Sequence, residues 1–288
     1  MPSLIDLRRR IRSVKNTQQI TKAMKMVSAA KLRRAQEKVL AARPYSSVLR
    51  AMMASILGNE PEDSPALAHP LLARRRENRI LVLLLSGDKG LCGAFNSNVI
   101  RRSQQFLAER SSAEVEMELI GRKGRDFYRR RNVSIAGEWI NIFNNIDFAT
   151  CRKISDSVIP RFTRREVDAV YLIFNKFKSV LRQTLIVDRL LPVQVSASEG
   201  GGSFEYLYEQ PAPEIFRTLL PRYVQVAVYQ AMIESAAAEH AARMTAMDAA
   251  TRNAEEMIEK LTLHMNRVRQ ASITNEIIEV VSGAAGLE

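Results

Sequence analysis

Apolar residues recur at helical spacing from the start of the chain, through Leu4, Leu7, Ile11 and Val14, and positions 3–57 contain no Gly and one Pro, Pro44. The pattern predicts one long helix, bent near Pro44. From about Pro213 the repeat is stricter: Ile233, Ala237, His240, Met244, Met247, Thr251, Ala254, Ile258, Leu261, Met265 and Val268 alternate steps of four and three. That is a coiled-coil seam. Its members are mostly small or unbranched and no aromatic follows Tyr229, so a partner helix can approach closely. At about 1.5 Å per residue the two helices would run roughly 85 and 110 Å, more than a globular domain of this size needs, so they must project. The first helix enters the middle segment where the second leaves it, which makes a side-by-side pair antiparallel. The second helix exceeds the first by about 16 residues, roughly 24 Å, so its last turns lack a helical partner. The seam stops at Val268, about where that partner runs out.

Between the helices, after the Pro-rich "PEDSPALAHP", the pattern switches to alternating strands and helices. "RILVLLLS", "EVEMELI" and "DAVYLIFNKF" read as strands, with "FNSNVIRRSQQFLAER", "GRKGRDFYRRR" and "DFATCRKISDSVIPRF" as helices. "LRQTLIVDRLLPV" and "SFEYLYEQ" read as further strands around the "SEGGGS" turn. Alternation of this kind predicts a mostly parallel, Rossmann-like sheet with helices on its faces. The predicted organisation is an N-terminal helix over 1–57, an α/β domain over 58–212 and a C-terminal helix over 213–288.

Charge changes how the first helix is read. The formal net charge is +12, and residues 1–57 carry thirteen Lys or Arg against only Asp6 and Glu37. Residues 213–288 carry seven against ten Asp or Glu, so nearly all the excess lies on the first helix. In "TKAMKMVSAAKL", residues 21–32, lysines are scattered among small and flexible apolar groups with no broad greasy face. Such a stretch fits two kinds of neighbour: a partner helix in close approach at Ala23, Val27 or Ala30, and other protein surfaces around it. The heptad reads as interrupted at "NTQQ".

Candidate chemistry is sparse. A hydrophobic content of 46% excludes general disorder, and "ILVLLL" at 80–85 is too short to cross a bilayer. Cys92 and Cys151 form no CxxC or Cys/His cluster, which suggests neither a disulfide scaffold nor a zinc site. In "SGDKGLCGAFN", Gly87, Gly90 and Gly93 follow a strand and precede a helix, where a phosphate cradle would sit. The spacing is GxxGxxG, no GK[ST] follows, and no acid ends the second strand, so a structural turn is preferred over a nucleotide site. His69, His240 and His264 lack metal-ligand spacing, and Glu255, Glu256 and Glu259 read as a solvated face or as partners of the basic helix. "RRRIRSVK" could meet nucleic acid or lipid, but its helix has a single aromatic, Tyr45, and its charges continue around the circumference. No cofactor, nucleic acid, catalytic dyad or membrane insertion is expected.

Four stretches carry a resemblance to a known family: "NTQQITKAMKMVSAAKLRRAQ", "GDKGLCGAFN", "NKF" at 175–177 and "RQASITNEIIEVVSGAA". In this order, across essentially the whole chain, they closely resemble the gamma subunit family of the F-type ATP synthase. The resemblance implies a non-catalytic rotor in the central stalk, one copy within three alpha and three beta subunits. Its paired helices would form the axle, and its α/β domain the foot on the membrane c ring beside epsilon. It implies contacts to beta at Met24, Lys25, Arg243, Gln270, Thr274 and Glu276, and an apolar bearing tip at Ile277, Ile278, Val280 and Val281. It further implies foot contacts to epsilon and the c ring at Tyr206 and Tyr208. The end, "SGAAGLE", departs from the family at Gly286 and Glu288, and no Cys-bearing regulatory insertion is present. The absence of a targeting peptide favours a bacterial chain on the cytoplasmic face of the inner membrane.

Overall fold

A computed structural model describes residues 4–59, 64, 68–194 and 211–285. Its elements are α1 (Leu4–Asn59), β1 (Arg79–Leu85), α2 (Phe95–Glu109), β2 (Glu114–Ile120), α3 (Arg122–Tyr128), β3 (Ser134–Trp139), α4 (Phe148–Thr163), β4 (Ala169–Phe177), β5 (Gln183–Leu191) and α5 (Ala212–Ala285). The expected strand "SFEYLYEQ" and its turn lie outside the described residues. The chain divides into two compact units, Met1–Ser28 with Met244–Glu288, and Ala29–Arg243.

The larger unit holds a five-stranded sheet of order β3-β2-β1-β4-β5. β1 pairs in parallel with β2 and β4, β2 pairs in parallel with β3, and β5 closes the far edge antiparallel to β4. After Arg79 every residue of β1 is buried, because a central parallel strand is covered on both faces. One side of the sheet packs Val82, Leu84, Met117, Leu119 and Ile173 against Val99 and Phe106 of α2 and Tyr128 of α3. The buried Tyr128 hydroxyl meets Ser103 Oγ at 2.7 Å, and Phe106 lies tilted on Tyr171 with ring centroids 5.0 Å apart. Asp147 caps α4 by accepting the Thr150 N–H at 2.7 Å. β3 has no counterpart in the expected element order. Its sequence, SIAGEW, is rich in small residues and its edge position leaves most of it half-exposed, so neither hydrophobic run nor alternation marks it.

Within this unit α5 is buried on every side over residues 231–239, AMIESAAAE. Small side chains allow this: Ala231, Ala236, Ala237 and Ala238 are each at most 5% exposed. α1 turns Leu32, Val39, Leu49, Met53 and Ile56 inward and runs through Pro44 without a break.

In the smaller unit two stretches of helix pair antiparallel. Lys25 Nζ meets Asp248 Oδ1 at 2.5 Å, and the hydroxyls of Thr21 and Thr251 lie 2.9 Å apart. The inward positions of α1 correct two expectations. Ala23, Val27 and Ala30 are exposed, and Leu4, Leu7, Ile11, Val14, Gln18, Thr21, Met24, Lys25 and Ser28 are the positions withdrawn from solvent. Steps of four and three therefore pass through "NTQQ" uninterrupted. The seam was hidden because its members there are polar: Gln18, Thr21 and Ser28 are short or flexible enough to sit between close helices, with Thr21 bonding back to the Gln18 carbonyl.

Candidate functional site

The residues singled out from sequence fall into three places, and two of them lie in the smaller unit. The first surrounds Lys25. Met24 and Lys25 are half-buried, and the bond from Lys25 holds the Asp248 carboxyl below the usual carboxylate range. Arg252 joins the same carboxylate at 3.2 Å from the next turn. Lys22 and Met26 stay exposed, so this part of α1 presents both cation and thioether to its surroundings.

The second place is the outer part of α5. Met247 and Ala254 are buried, while Met244, Thr251, Ile258, Leu261, Met265 and Val268 are half-buried. Beyond Val268 only Ser272 is withdrawn from solvent among the residues described to 282. Gln270, Thr274 and Glu276 are exposed, Thr274 Oγ1 bonding the Gln270 carbonyl and Glu276 accepting from Ser272 Oγ at 3.2 Å. Four large apolar side chains then stand in water: Ile277 at 58%, Ile278 at 56%, Val280 at 73% and Val281 at 61%. Within the paired stretch of α5, exposed apolar residues such as Met257 and Leu263 stand singly among polar neighbours, so the clustered run of exposed branched apolar residues at 277–281 marks an incomplete surface.

The third place, inside the larger unit, is the glycine loop between β1 and α2. Arg243, expected as an outward polar contact, is 8% exposed. Its Nη2 meets Glu239 Oε1 at 2.5 Å, and Nε and Nη2 each lie 3.3 Å from the Gly90 carbonyl. A side chain at Gly87 would fit only tightly, since a Cβ there would lie 3.0 Å from Glu239 Cδ and 3.1 Å from Asn96 Oδ1 and one of these would have to give way slightly. Leu91 and Gly93 take left-handed backbone conformations, φ 60° and 56°, to turn the chain into α2. Asn96 ties the turn together, accepting the Gly87 N–H at 2.8 Å and donating to the Lys89 carbonyl. Asp88 points away and accepts backbone N–H groups from Arg122, Asn141 and Phe143.

Electrostatics at this loop follow from burial. Desolvation lifts the Glu239 carboxyl above its ordinary range, opposed by Arg243. It lowers His240 to about 4, a shift that Arg243 and Lys31 reinforce. Burial also pushes the Cys92 thiol up and takes Cys151 to about 12, so neither is poised as a thiolate nucleophile. Among the described residues no group of three or more His, Cys, Asp or Glu gathers around a point where a metal could sit, and no helix is long and apolar enough to cross a membrane.

Tyr206 and Tyr208 lie outside the described residues. Sequence reasoning passed over Glu239 and Asp248. Glu239 is the lone charge in "SAAAEHAA", a composition that fits only a closely packed helix, and its i,i+4 spacing to Arg243 is the signal that could have found it.

Residues 3–287 match a family model described as ATP synthase. Over its whole length the chain is 55% identical to an ATP synthase gamma chain of Solibacter usitatus (strain Ellin6076), with both chains fully covered. The chain belongs to the ATP synthase gamma chain family. A second relative with the same name, from Pelotomaculum thermopropionicum (strain DSM 13744 / JCM 10971 / SI), is 50% identical with both chains again fully covered. The fold is shared by a chain in the cryo-EM structure of the Euglena gracilis mitochondrial ATP synthase, OSCP/F1/c-ring, rotational state 3. There the TM-score is 0.67 at 17% identity, over 99% of this chain and 94% of that one. It is shared also by a chain in the central stalk/c-ring structure of the Tetrahymena thermophila mitochondrial ATP synthase, with a TM-score of 0.61 at 24% identity, over 80% and 99% of the two chains. The mostly parallel sheet flanked by long N- and C-terminal helices is thus the architecture of this family.

Proposed function

We propose that the chain is the central-stalk rotor of an ATP synthase, without a catalytic site of its own, coupling ion-driven rotation of a membrane c ring to ATP synthesis and hydrolysis at beta subunits. The supporting observation is the apolar run at Ile277, Ile278, Val280 and Val281, exposed at the end of a helix whose other large apolar groups are mostly shielded. Covering it would contribute on the order of 2 kcal/mol per side chain at about 25 cal/mol per Å². A ring of alpha and beta subunits, three of each around one copy, supplies an apolar sleeve for that tip.

Coupling in this reading is differential contact. A shaft with unlike faces meets three identical catalytic subunits differently at each angle, and so biases each toward a different affinity state. Met24, Lys25, Gln270, Thr274 and Glu276 contact beta, and Lys25, paired to Asp248 when free, exchanges that partner for acidic groups on beta as the shaft turns. Arg243 contributes to the same coupling from beneath the surface. Tyr206 and Tyr208 belong to the foot on epsilon and the c ring. Full-length likeness to bacterial gamma chains supports a peripheral place on the cytoplasmic face of the inner membrane.

Purification of the native complex, with its subunits identified and counted, tests this reading. One copy of the chain with three alpha and three beta subunits is expected. A chain that co-purifies with neither would sink it.

A further inference from the structure

The strand order β3-β2-β1-β4-β5 reverses direction between β1 and β4. In open α/β sheets the crevice outside the carboxyl ends of the strands at such a point is where ligands bind. The loop leaving β1 there is the one bearing Gly87, Gly90 and Gly93, and a side chain of α5 stands over it. Glu239 is 4% exposed, and its carboxyl approaches Gly87 so closely that a Cβ would lie 3.0 Å from Cδ and 3.2 Å from Oε1. Arg243, one turn on, binds Glu239 at 2.5 Å and reaches the Gly90 carbonyl with two nitrogens. The carboxylate therefore packs over Gly87 while the guanidinium it holds bonds the Gly90 carbonyl, two points three residues apart.

The loop is stiff enough to be gripped. Its backbone is tied inward through Asn96 at Gly87 and Lys89, and Asp88 fastens it to the N–H groups of Arg122, Asn141 and Phe143. Apolar side chains of similar size would hold α5 against it at no desolvation cost, and a buried ion pair is a poor source of stability. What directional hydrogen bonds add is register. A one-residue slip of α5 rotates its face by about 100° and would carry both groups off the loop.

We propose that Glu239 and Arg243 form a latch: the chain fills the crevice of its own sheet with a carboxylate, and so fixes the angular register between α5 and the α/β domain. Torque on one passes to the other through Gly87 and the Gly90 carbonyl. Glu239 and Arg243 are positioning residues in this scheme, touching no nucleotide and no reacting atom. The proposal rests on the rotor reading.

The test is the number of ions moved per ATP hydrolysed, measured on the whole complex in proteoliposomes. Glu239→Met removes the acceptor at similar volume and is expected to lower that ratio at least about fivefold, the low end of a coupling free energy between sites. Glu239→Gln keeps an acceptor and loses less. Gly87→Ala attacks the latch from the loop side and lowers the ratio while leaving both charges in place. Hydrogen exchange on the full chain reads the same event locally: all three variants loosen the turn that Asn96 ties at position 87 and speed exchange of the amide there. Should Glu239→Met fail to assemble, Glu239→Gln and Gly87→Ala decide. Wild-type ratios and wild-type exchange in assembled variants overturn the latch alone. A wild-type chain that gives no one-copy, pumping complex takes down the rotor reading and the latch with it.

Discussion

β1 and the end of α5 are both rich in branched apolar residues, yet Leu81–Leu85 are at most 1% exposed and Ile277–Val281 carry side chains more than half exposed. The strand is covered by its own chain: parallel neighbours lie on both edges, α2 and α3 pack on one face, and Leu81, Leu83 and Leu85 on the other face are equally buried. The helix end is covered by nothing described in this chain. On the proposed function, the difference separates residues whose job is done within one polypeptide from residues whose partner is another molecule. It also says which substitutions register in the isolated chain and which register only in a complex.

The largest effect should come from the sheet. Leu84→Ala removes a fully buried side chain between α2 and β2 and is expected to cost about 2–5 kcal/mol in denaturant unfolding of the isolated chain. A loss below that range would mean that the sheet collapses around the cavity. Next comes the paired part of α5. Ala254 is 8% exposed, and Ala254→Leu should cost about 1–3 kcal/mol by forcing the helices apart. Hydrogen exchange confined to residues 4–28 and 244–268 would place that cost in the helix pair.

A third test uses pH and lies between these regions in size. The folded chain keeps His240 neutral down to about 4, while the unfolded imidazole protonates near 6.5. The unfolded state therefore binds more protons across that window, so His240 costs stability as pH falls from about 6.5 to about 4. Glu239 has the opposite sign, because its raised carboxyl takes up a proton in the folded state first. His240→Gln should remove the acid-side loss and leave the rise from Glu239. An unchanged slope of unfolding free energy between pH 6.5 and 4 would show that His240 is hydrated.

The smallest effect on the isolated chain should come from the exposed end. Ile278→Ala should shift its stability by no more than about 0.5 kcal/mol, while Lys25→Glu sets a second carboxylate against Asp248 and should lower its melting temperature modestly. In the assembled complex the order reverses. Ile278→Ala weakens assembly, and Lys25→Glu alters ATP turnover while assembly survives. Unchanged turnover in the Lys25 variant would remove that residue from the coupling surface.

Legibility in the sequence followed the same division. β1 and β4 are readable as hydrophobic runs because both faces of a central parallel strand are buried, β2 by the alternation of Glu with apolar residues, and α2 and α4 by their helical spacing. β3 was not readable, since an edge strand of small residues needs few apolar groups. The α5 stripe from Met244 to Val268 matches the positions least exposed there, whereas at 231–239 a single stripe understated burial on all sides by alanine. In α1 the inward line at Gln18, Thr21, Lys25 and Ser28 was invisible to a search for apolar spacing, because close helices admit short polar groups that satisfy themselves locally. The glycine loop reads as a structural turn between strand and helix, which Gly93 at φ 56° matches, but the close packing over Gly87 is not legible there. Its reason, the Glu239 carboxyl above Gly87, comes from a residue 152 positions away along the chain and leaves no local pattern.

On the proposed function this chain turns inside a ring of catalytic subunits. With alpha and beta subunits fixed to a surface and a probe on an exposed position of the chain's α/β domain, addition of ATP should drive rotation in one direction, from complexes holding a single copy. A chain that stays fixed to the ring while ATP is hydrolysed, or that is present in several copies, would contradict it.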